Sequence, residues 1–266
     1  MIERLRLFVN YKKPNAPKIA EIVKEEFLKK GFIIDDENFD LGIAIGGDGS
    51  FLRMVRDTNF DSRPYYVGVN AGTLGFLQEV KPDKIKDLVN EVLEKKYRTD
   101  EIDIEEVTVF TQDRKDKFYA LNEMYVAEPN RRSIQLDVRV NGDFLERYNG
   151  DGLLISTSSG STAQNLSYFG SIVDPTLSTI QITPMGLINN TAYRAVTNPI
   201  VFKSDKVITL IPATQYRNFV VVGDGEGRYY EDVESIEAKV RDEKIKMLRF
   251  SNYSFTQKIN EKFLSN

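Results

Sequence analysis

The sequence contains neither cysteine nor histidine. Without cysteine there is no disulfide, no thiolate zinc site and no cysteine nucleophile. Without histidine the commonest general base is missing, together with Ser-His-Asp triads and imidazole metal ligands. Any proton transfer on this chain must therefore fall to a carboxylate, a lysine or a tyrosine. Apolar runs long enough to span a bilayer, about 20 residues, are absent too. The N-terminal stretch MIERLRLFVN lacks an apolar signal-peptide core, so a cytoplasmic protein with no membrane partner is expected. Basic residues are spread along the chain and the net charge is −4, which argues against an extended nucleic-acid surface.

What remains is an ordinary globular composition in 266 residues, enough for two modest domains with separate cores. The first hundred residues alternate strand and helix signals. Leu5, Leu7 and Val9 suggest a strand, and Ile19, Ile22, Val23 and Phe27 recur at helical spacing. The runs LGIAI (Leu41–Ile45) and YYVGV (Tyr65–Val69) are of the buried parallel-strand type, and helical patterns follow each of them. Past about residue 100 short β-type runs take over, and IQLDVRV ends in Asn141-Gly142, a strong hairpin signal. The expected fold is α/β plus all-β. Residues 1–98 form a Rossmann-like α/β domain with a parallel sheet, and residues 99–249 form a β-rich, β-sandwich-like domain. Residues 250–266, with Phe255, Ile259 and Phe263 at four-residue spacing, are expected to form a helix packing back on the first domain.

Three stretches could carry chemistry. Gly46-Gly47-Asp48-Gly49-Ser50 follows a buried strand and opens a helix, where backbone N–H groups and the helix dipole favour an anion. Neither common phosphate motif fits: no lysine follows these glycines, and Leu52 stands where a third glycine would be needed. A plain tight turn with Asp48 capping its own helix is the alternative, and spacing alone does not separate the two. The second stretch, GDGLLISTSSGSTAQNLS (Gly150–Ser167), presents amides and hydroxyls without bulk, which suits a sugar, a diphosphate or an adenine edge. The third is LNEMYV (Leu121–Val126), with Asn122 and Glu123 between apolar neighbours at the start of a strand. From spacing alone these two are a turn asparagine and a solvated glutamate. NAGTLGF (Asn70–Phe76) follows the next strand of the first domain and should lie beside the Gly-Gly-Asp-Gly turn.

In order and spacing, these segments resemble the NAD kinases of the compact bacterial type. INN (Ile188–Asn190) and YRAVTNPIV (Tyr193–Val201) are similar to later segments of that family. The Gly-Gly-Asp-Gly motif alone is shared with 6-phosphofructokinases and diacylglycerol-type lipid kinases, whereas its combination with Asn-Glu and the long Ser/Thr/Gly segment is specific. The resemblance implies a phosphotransferase with an alcohol acceptor. The γ-phosphoryl of ATP, carried with Mg²⁺ or another divalent cation, moves to the 2′-hydroxyl of the adenosine ribose of NAD, making NADP.

By the same resemblance Asp48 is the base, and Gly46, Gly47 and Gly49 line the phosphate-donor site. Asn122 and Glu123 hold the ribose and diphosphate region of NAD. Ser159, Thr162, Ala163, Gln164, Asn165, Leu166 and Ser167 form the loop on the adenosine part. Asp151 and Gly186 contact the dinucleotide near a subunit boundary, so a homodimer or homotetramer is implied. Asn149 belongs to the same site, although close relatives have arginine there. Ser158 stands where the family usually has proline, and Gln164 where it has a tyrosine ring that packs on the dinucleotide. No metal ligand set is assigned. The rival functions are a lipid or sugar-phosphate kinase with the same turn, or a non-catalytic dinucleotide sensor.

Overall fold

The computed structural model describes residues 2–72, 75–130, 132–189 and 194–264. The chain divides into two compact units, Met1–Ile102 with Lys244–Asn266, and Asp103–Glu243.

The first unit alternates strand and helix: β1 (Arg4–Val9), α1 (Ala16–Leu28), β2 (Ile33–Ile34), β3 (Leu41–Gly46), α2 (Asp48–Asp57), β4 (Tyr65–Asn70) and α3 (Ile85–Glu94). The strands lie parallel in the order β2-β1-β3-β4. Every residue of β3 is buried, which is why it appears in sequence as an unbroken apolar run. α1 carries a proline in its first turn, where the missing N–H costs nothing, and it buries Ile19, Ala20, Val23 and Phe27. These side chains join Ile43, Ile45, Val67, Val69, Leu88 and Val89 in one apolar core. The end of the strand Val233–Arg249 extends the sheet, pairing Lys246 and Met247 with Tyr65 and Tyr66. A C-terminal helix, Phe255–Phe263, also belongs to this unit, and the Ser254 side chain caps it by accepting from Gln257 N.

The second unit is built from strands joined by turns: β5 (Arg98–Thr111, its first residues in the first unit), β6 (Lys115–Ala120), β7 (Glu123–Ala127), β8 (Ile134–Val140), β9 (Asp143–Gly150), β10 (Gly152–Thr157), β11 (Thr179–Met185), β12 (Ile200–Lys203), β13 (Ile208–Pro212), β14 (Phe219–Gly223), β15 (Glu226–Tyr230) and β16 (Val233–Arg249). One antiparallel sheet runs β12-β11-β10-β7-β14-β15. The other contains β16-β13-β8-β9, with β5 pairing β16 and β6. Val107, Leu136, Ile208 and Leu210 of one sheet and Val126, Leu153, Ile155 and Ile180 of the other share a single core, so the unit is a sandwich of antiparallel sheets. Asn141 and Gly142 turn the β8–β9 hairpin with φ of 51° and 88°, the left-handed pair that a two-residue loop requires. Among the described residues no helix is long and apolar enough to cross a membrane.

Candidate active site

The Gly-Gly-Asp-Gly turn sits where β3 ends, with Gly46 in register with Asn70 at the end of β4. That is the carboxyl edge of a parallel sheet, the edge at which open α/β folds bind ligands. Helix α2 begins at Asp48 itself, and its N-cap position is Gly47. The capping role that the sequence allowed for Asp48 is therefore not the one observed. Ser50 Oγ instead accepts from Gly47 N at 3.3 Å and from Asn10 Nδ2 at 3.1 Å.

The Asp48 carboxylate is engaged elsewhere. Phe76 N donates to its Oδ2 and Leu77 N to its Oδ1, both at 2.9 Å. Gln78 Nε2 adds a third tie, donating to Gly47 O at 2.9 Å. The segment after β4 thus lies beside the turn as expected, although Thr73 and Leu74 fall outside the described residues. Around this clamped carboxylate the glycines differ. A β-carbon at Gly46 would lie 2.1 Å from Ser50 Oγ, whereas one at Gly47 or Gly49 would meet nothing within 4 Å. Nothing within the unit requires glycine at those last two positions, and their open backbone can be approached closely from outside.

In the second unit Glu123 starts β7 and Asn122 immediately precedes it, and both are buried. Asp224, in the β14–β15 turn with φ of 47°, accepts from Leu121 N and Asn122 N, both at 2.8 Å. Asn122 O in turn accepts from Thr157 N at 2.9 Å, which locks the turn to the end of β10. A β-carbon at Gly160 would lie 1.8 Å from Asn122 O, so the Ser/Thr/Gly loop passes against Asn122 only because residue 160 has no side chain. Burial, reinforced by the Asp224 charge, pushes the Glu123 carboxyl up to about 8, against a hydrogen bond from the Gln164 backbone. The oxygens Asn122 Oδ1, Glu123 Oε2 and Asn149 Oδ1 are buried without a hydrogen-bond partner among the described residues.

Further along, Asp151 is exposed at the β9–β10 turn, directly under Gly186, whose β-carbon would lie 2.1 Å from Asp151 Oδ2. The family model for the ATP-NAD kinase N-terminal domain matches residues 7–97, and the model for the C-terminal domain matches residues 121–245.

The chain belongs to the ATP-NAD kinase family.

An NAD kinase of Finegoldia magna is 36% identical over 255 residues, covering 92% of this chain and 92% of its own. NAD kinase 1 of Oceanobacillus iheyensis is 31% identical over 257 residues, covering 93% and 94%. The fold is shared with a crystal structure of yeast NADH kinase complexed with NADH, at a TM-score of 0.82 and 21% identity, over 100% of this chain and 89% of that one.

The residues singled out by resemblance to NAD kinases fall into two sets. Gly46, Gly47, Asp48 and Gly49 cluster in the first unit. In the second, Asn122, Glu123 and Gln164 are drawn together, as are Asp151 and Gly186. Within the loop, Ser159, Thr162, Ala163, Gln164 and Leu166 are partly exposed and Ser167 is exposed. Asn165 differs from them: it is fully buried, Thr183 Oγ1 donates to its Oδ1 at 2.6 Å, and its Nδ2 donates to Ser161 O at 3.4 Å. Its amide is consumed within the fold. Ser158, where the NAD kinases usually have proline, is also consumed: its Oγ donates to Leu177 O and accepts from Thr179 N. Asn190 and Tyr193 of the later matching segments lie outside the described residues.

Sequence reasoning missed Asp224, Gln78, Lys258 and Glu105. A signal for Asp224 was present, because Gly223-Asp224-Gly225 repeats the Gly-Asp-Gly pattern after an apolar run, but hairpin turns favour the same residues. Glu105 did not stand out in sequence, because β5 also carries Asp100, Glu101, Asp103 and Glu106. It is completely buried, and burial, together with the Asp224 and Glu123 charges, raises its carboxyl well above the usual range.

Proposed function

We propose that Asp48 is the general base for the NAD kinase reaction on this chain, taking the proton from the adenosine 2′-hydroxyl as that oxygen accepts the γ-phosphoryl of ATP. The observation that supports this most is the clamp on Asp48. A carboxylate at the carboxyl edge of the sheet, fixed by two backbone amides and flanked by two unobstructed glycines, suits a donor phosphate on one side and an acceptor hydroxyl on the other. Phosphoryl transfer is mostly positioning and charge stabilisation, and a ribose hydroxyl is a poor acid that an aligned carboxylate assists. A positioned base is worth roughly 10²–10⁴-fold.

Gly46, Gly47 and Gly49 line the donor side of the turn, where the α2 N-terminus favours the donor phosphates. Among the described residues no group of three or more carboxylates is placed to hold a metal. A Mg²⁺ ion, or another divalent cation, would arrive on the triphosphate, held largely by its phosphate oxygens and water. Such a cation would neutralise charge on the transferring group.

The dinucleotide falls to the second unit in this reading. The unpartnered oxygens of Asn122 and Asn149 match donors such as the ribose hydroxyls and amino groups of NAD, and the Glu123 carboxyl, protonated below about 8, can also donate to a ligand oxygen, because buried polar groups left unmade are costly. Asp151 and Gly186, with Ser159, Thr162, Ala163, Gln164, Leu166 and Ser167 of the loop, complete the contact. Gln164 in place of an aromatic ring predicts weaker binding of the dinucleotide. The reading carries with it a cytoplasmic homodimer or homotetramer with Asp151 near a subunit boundary.

The test is direct: purified protein is given ATP, Mg²⁺ and NAD, and NADP is measured. Asp48→Asn is expected to bind nucleotides and lose most turnover; near-normal turnover in that variant sinks the assignment. Native protein that binds NAD without forming NADP is a sensor instead.

A further inference from the structure

The short segment that clamps Asp48 is itself held from behind by the C-terminal part of the chain. Phe76 O and Leu77 N belong to one peptide group. While Leu77 N donates to Asp48, Arg249 Nη1 donates to Phe76 O at 3.2 Å. Arg249 is anchored by Glu79 at 3.1 Å and Asp100 at 3.2 Å, all three side chains being buried. The Phe76 ring packs at centroid distances of 6.2 Å from Phe255 and 5.6 Å from Phe263, both on the C-terminal helix. Between those two rings the same helix sends in Lys258, whose Nζ donates to Gln78 O at 2.5 Å.

Lys258 is only 9% exposed, unusual for a residue type that is almost never buried unless paired. A methionine would fill the same volume without bringing an ammonium group out of water. Four titratable groups face the ammonium: Glu79 after the clamp, Arg249 at the end of β16, Asp48 at the start of α2 and Glu261 on its own helix. Burial outweighs the three carboxylates and, with Arg249, brings Lys258 down to about 8. It is therefore charged at neutral pH and neutral soon above it. By linkage, a folded-state value below the ordinary one means that the charge costs stability up to about pH 8. A residue kept against stability points to a role in function.

We propose that Lys258 is a positioning residue for Asp48, holding the Gln78 carbonyl so that the Phe76 and Leu77 amides stay aligned on the carboxylate. It touches neither substrate nor the reacting atoms and transfers no proton. This role rests on Asp48 being the base, yet its structural half can be read without turnover.

The experiment compares native protein with Lys258→Met and Lys258→Arg in the full chain. In Lys258→Met, kcat is expected to fall by roughly 10²-fold, as for a misplaced reacting group, with KM for ATP and NAD unchanged. Lys258→Arg should recover most of that loss. Hydrogen exchange at the Phe76 and Leu77 amides should quicken in the methionine variant, while exchange in the β3 and β4 core does not. A methionine variant with native kcat and native exchange at these two amides overturns the proposal, as does a loss confined to KM. Should Lys258→Met fail to fold, the comparison with arginine decides. Lys258→Arg should then show native kcat and native exchange at the Phe76 and Leu77 amides, and quickened exchange there with undiminished kcat rejects the role. A native protein that forms no NADP rejects Asp48 as base, and the exchange readout then judges Lys258 separately.

Discussion

Gly75 has no room for a β-carbon because the Asp48 carboxylate occupies its place: a β-carbon there would lie 2.0 Å from Asp48 Oδ1 and 2.3 Å from Cγ. Glycine at this position is what allows two consecutive amides to close over the carboxylate. Gly75→Ala should force Asp48 off those amides or shift the segment that carries them. Turnover should fall by roughly 10²-fold, the scale of a displaced catalytic group, whereas ATP binding, measured by calorimetry, should hold. Native kcat in this variant would show that the clamp is not needed.

Two adjacent residues of the Ser/Thr/Gly loop should respond in opposite ways. Asn165 is spent on Thr183 and Ser161, so Asn165→Ala removes buried hydrogen bonds and should cost about 1–3 kcal/mol of stability in denaturant titrations. Gln164 is half-exposed next to it, at the position where the family carries a ring. Gln164→Tyr should leave stability unaltered and strengthen NAD binding by about 0.5–1.5 kcal/mol, read as a several-fold lower KM. If Asn165→Ala is neutral to stability while raising KM, Asn165 is a contact residue and its internal hydrogen bonds are incidental.

The course of the backbone was legible where one principle governed a whole element. β3 and β4 are buried on both faces, and IQLDVRV-Asn141-Gly142 pairs strict alternation with the residues its turn demands. The site was legible only in part. Asp48 and its glycines are contiguous, so local pattern exposes them. Asp48's partners are the amides of Phe76 and Leu77, and amides leave no mark on residue type. Lys258 was hidden for a different reason: in a polar C-terminal helix a lysine normally marks the solvent face, and only tertiary packing turns this one inward. Asp224 reaches its two amides across 102 and 103 positions of sequence, a distance no local pattern bridges.

That long reach makes Asp224 a sharp test of the second unit. Its two oxygens accept from Leu121 N and Asn122 N, and asparagine keeps only one acceptor there while turning an N–H₂ group toward the other amide. Asp224→Asn should therefore loosen the Asn122-Glu123 turn, raise KM for NAD and cost about 1.5–3 kcal/mol, the range for a hydrogen bond to a charged group. Denaturant titration and the KM for NAD check the two halves of this expectation. Unchanged values in both would mean that the β7 start is held by Thr157 alone.

The same neighbourhood predicts how stability changes with pH. Glu123, at about 8, and Glu105, raised well above the ordinary 4.5, both hold a proton in the folded state that the unfolded chain releases earlier. The folded state then binds more protons than the unfolded one, so stability falls as pH rises. Their contribution is fully present below 4.5, and the part owed to Glu123 is gone once pH passes about 8. Glu105→Gln and Glu123→Gln cannot ionise, so each should flatten the decline between pH 5 and 8 in unfolding titrations, whatever it does to absolute stability. Asp224→Asn should flatten it as well, because the Asp224 charge helps to raise both carboxyls. A Glu105→Gln profile parallel to that of the native protein would mean that Glu105 keeps the same protonation in the folded and unfolded chain, and the burial argument for its carboxyl would fall.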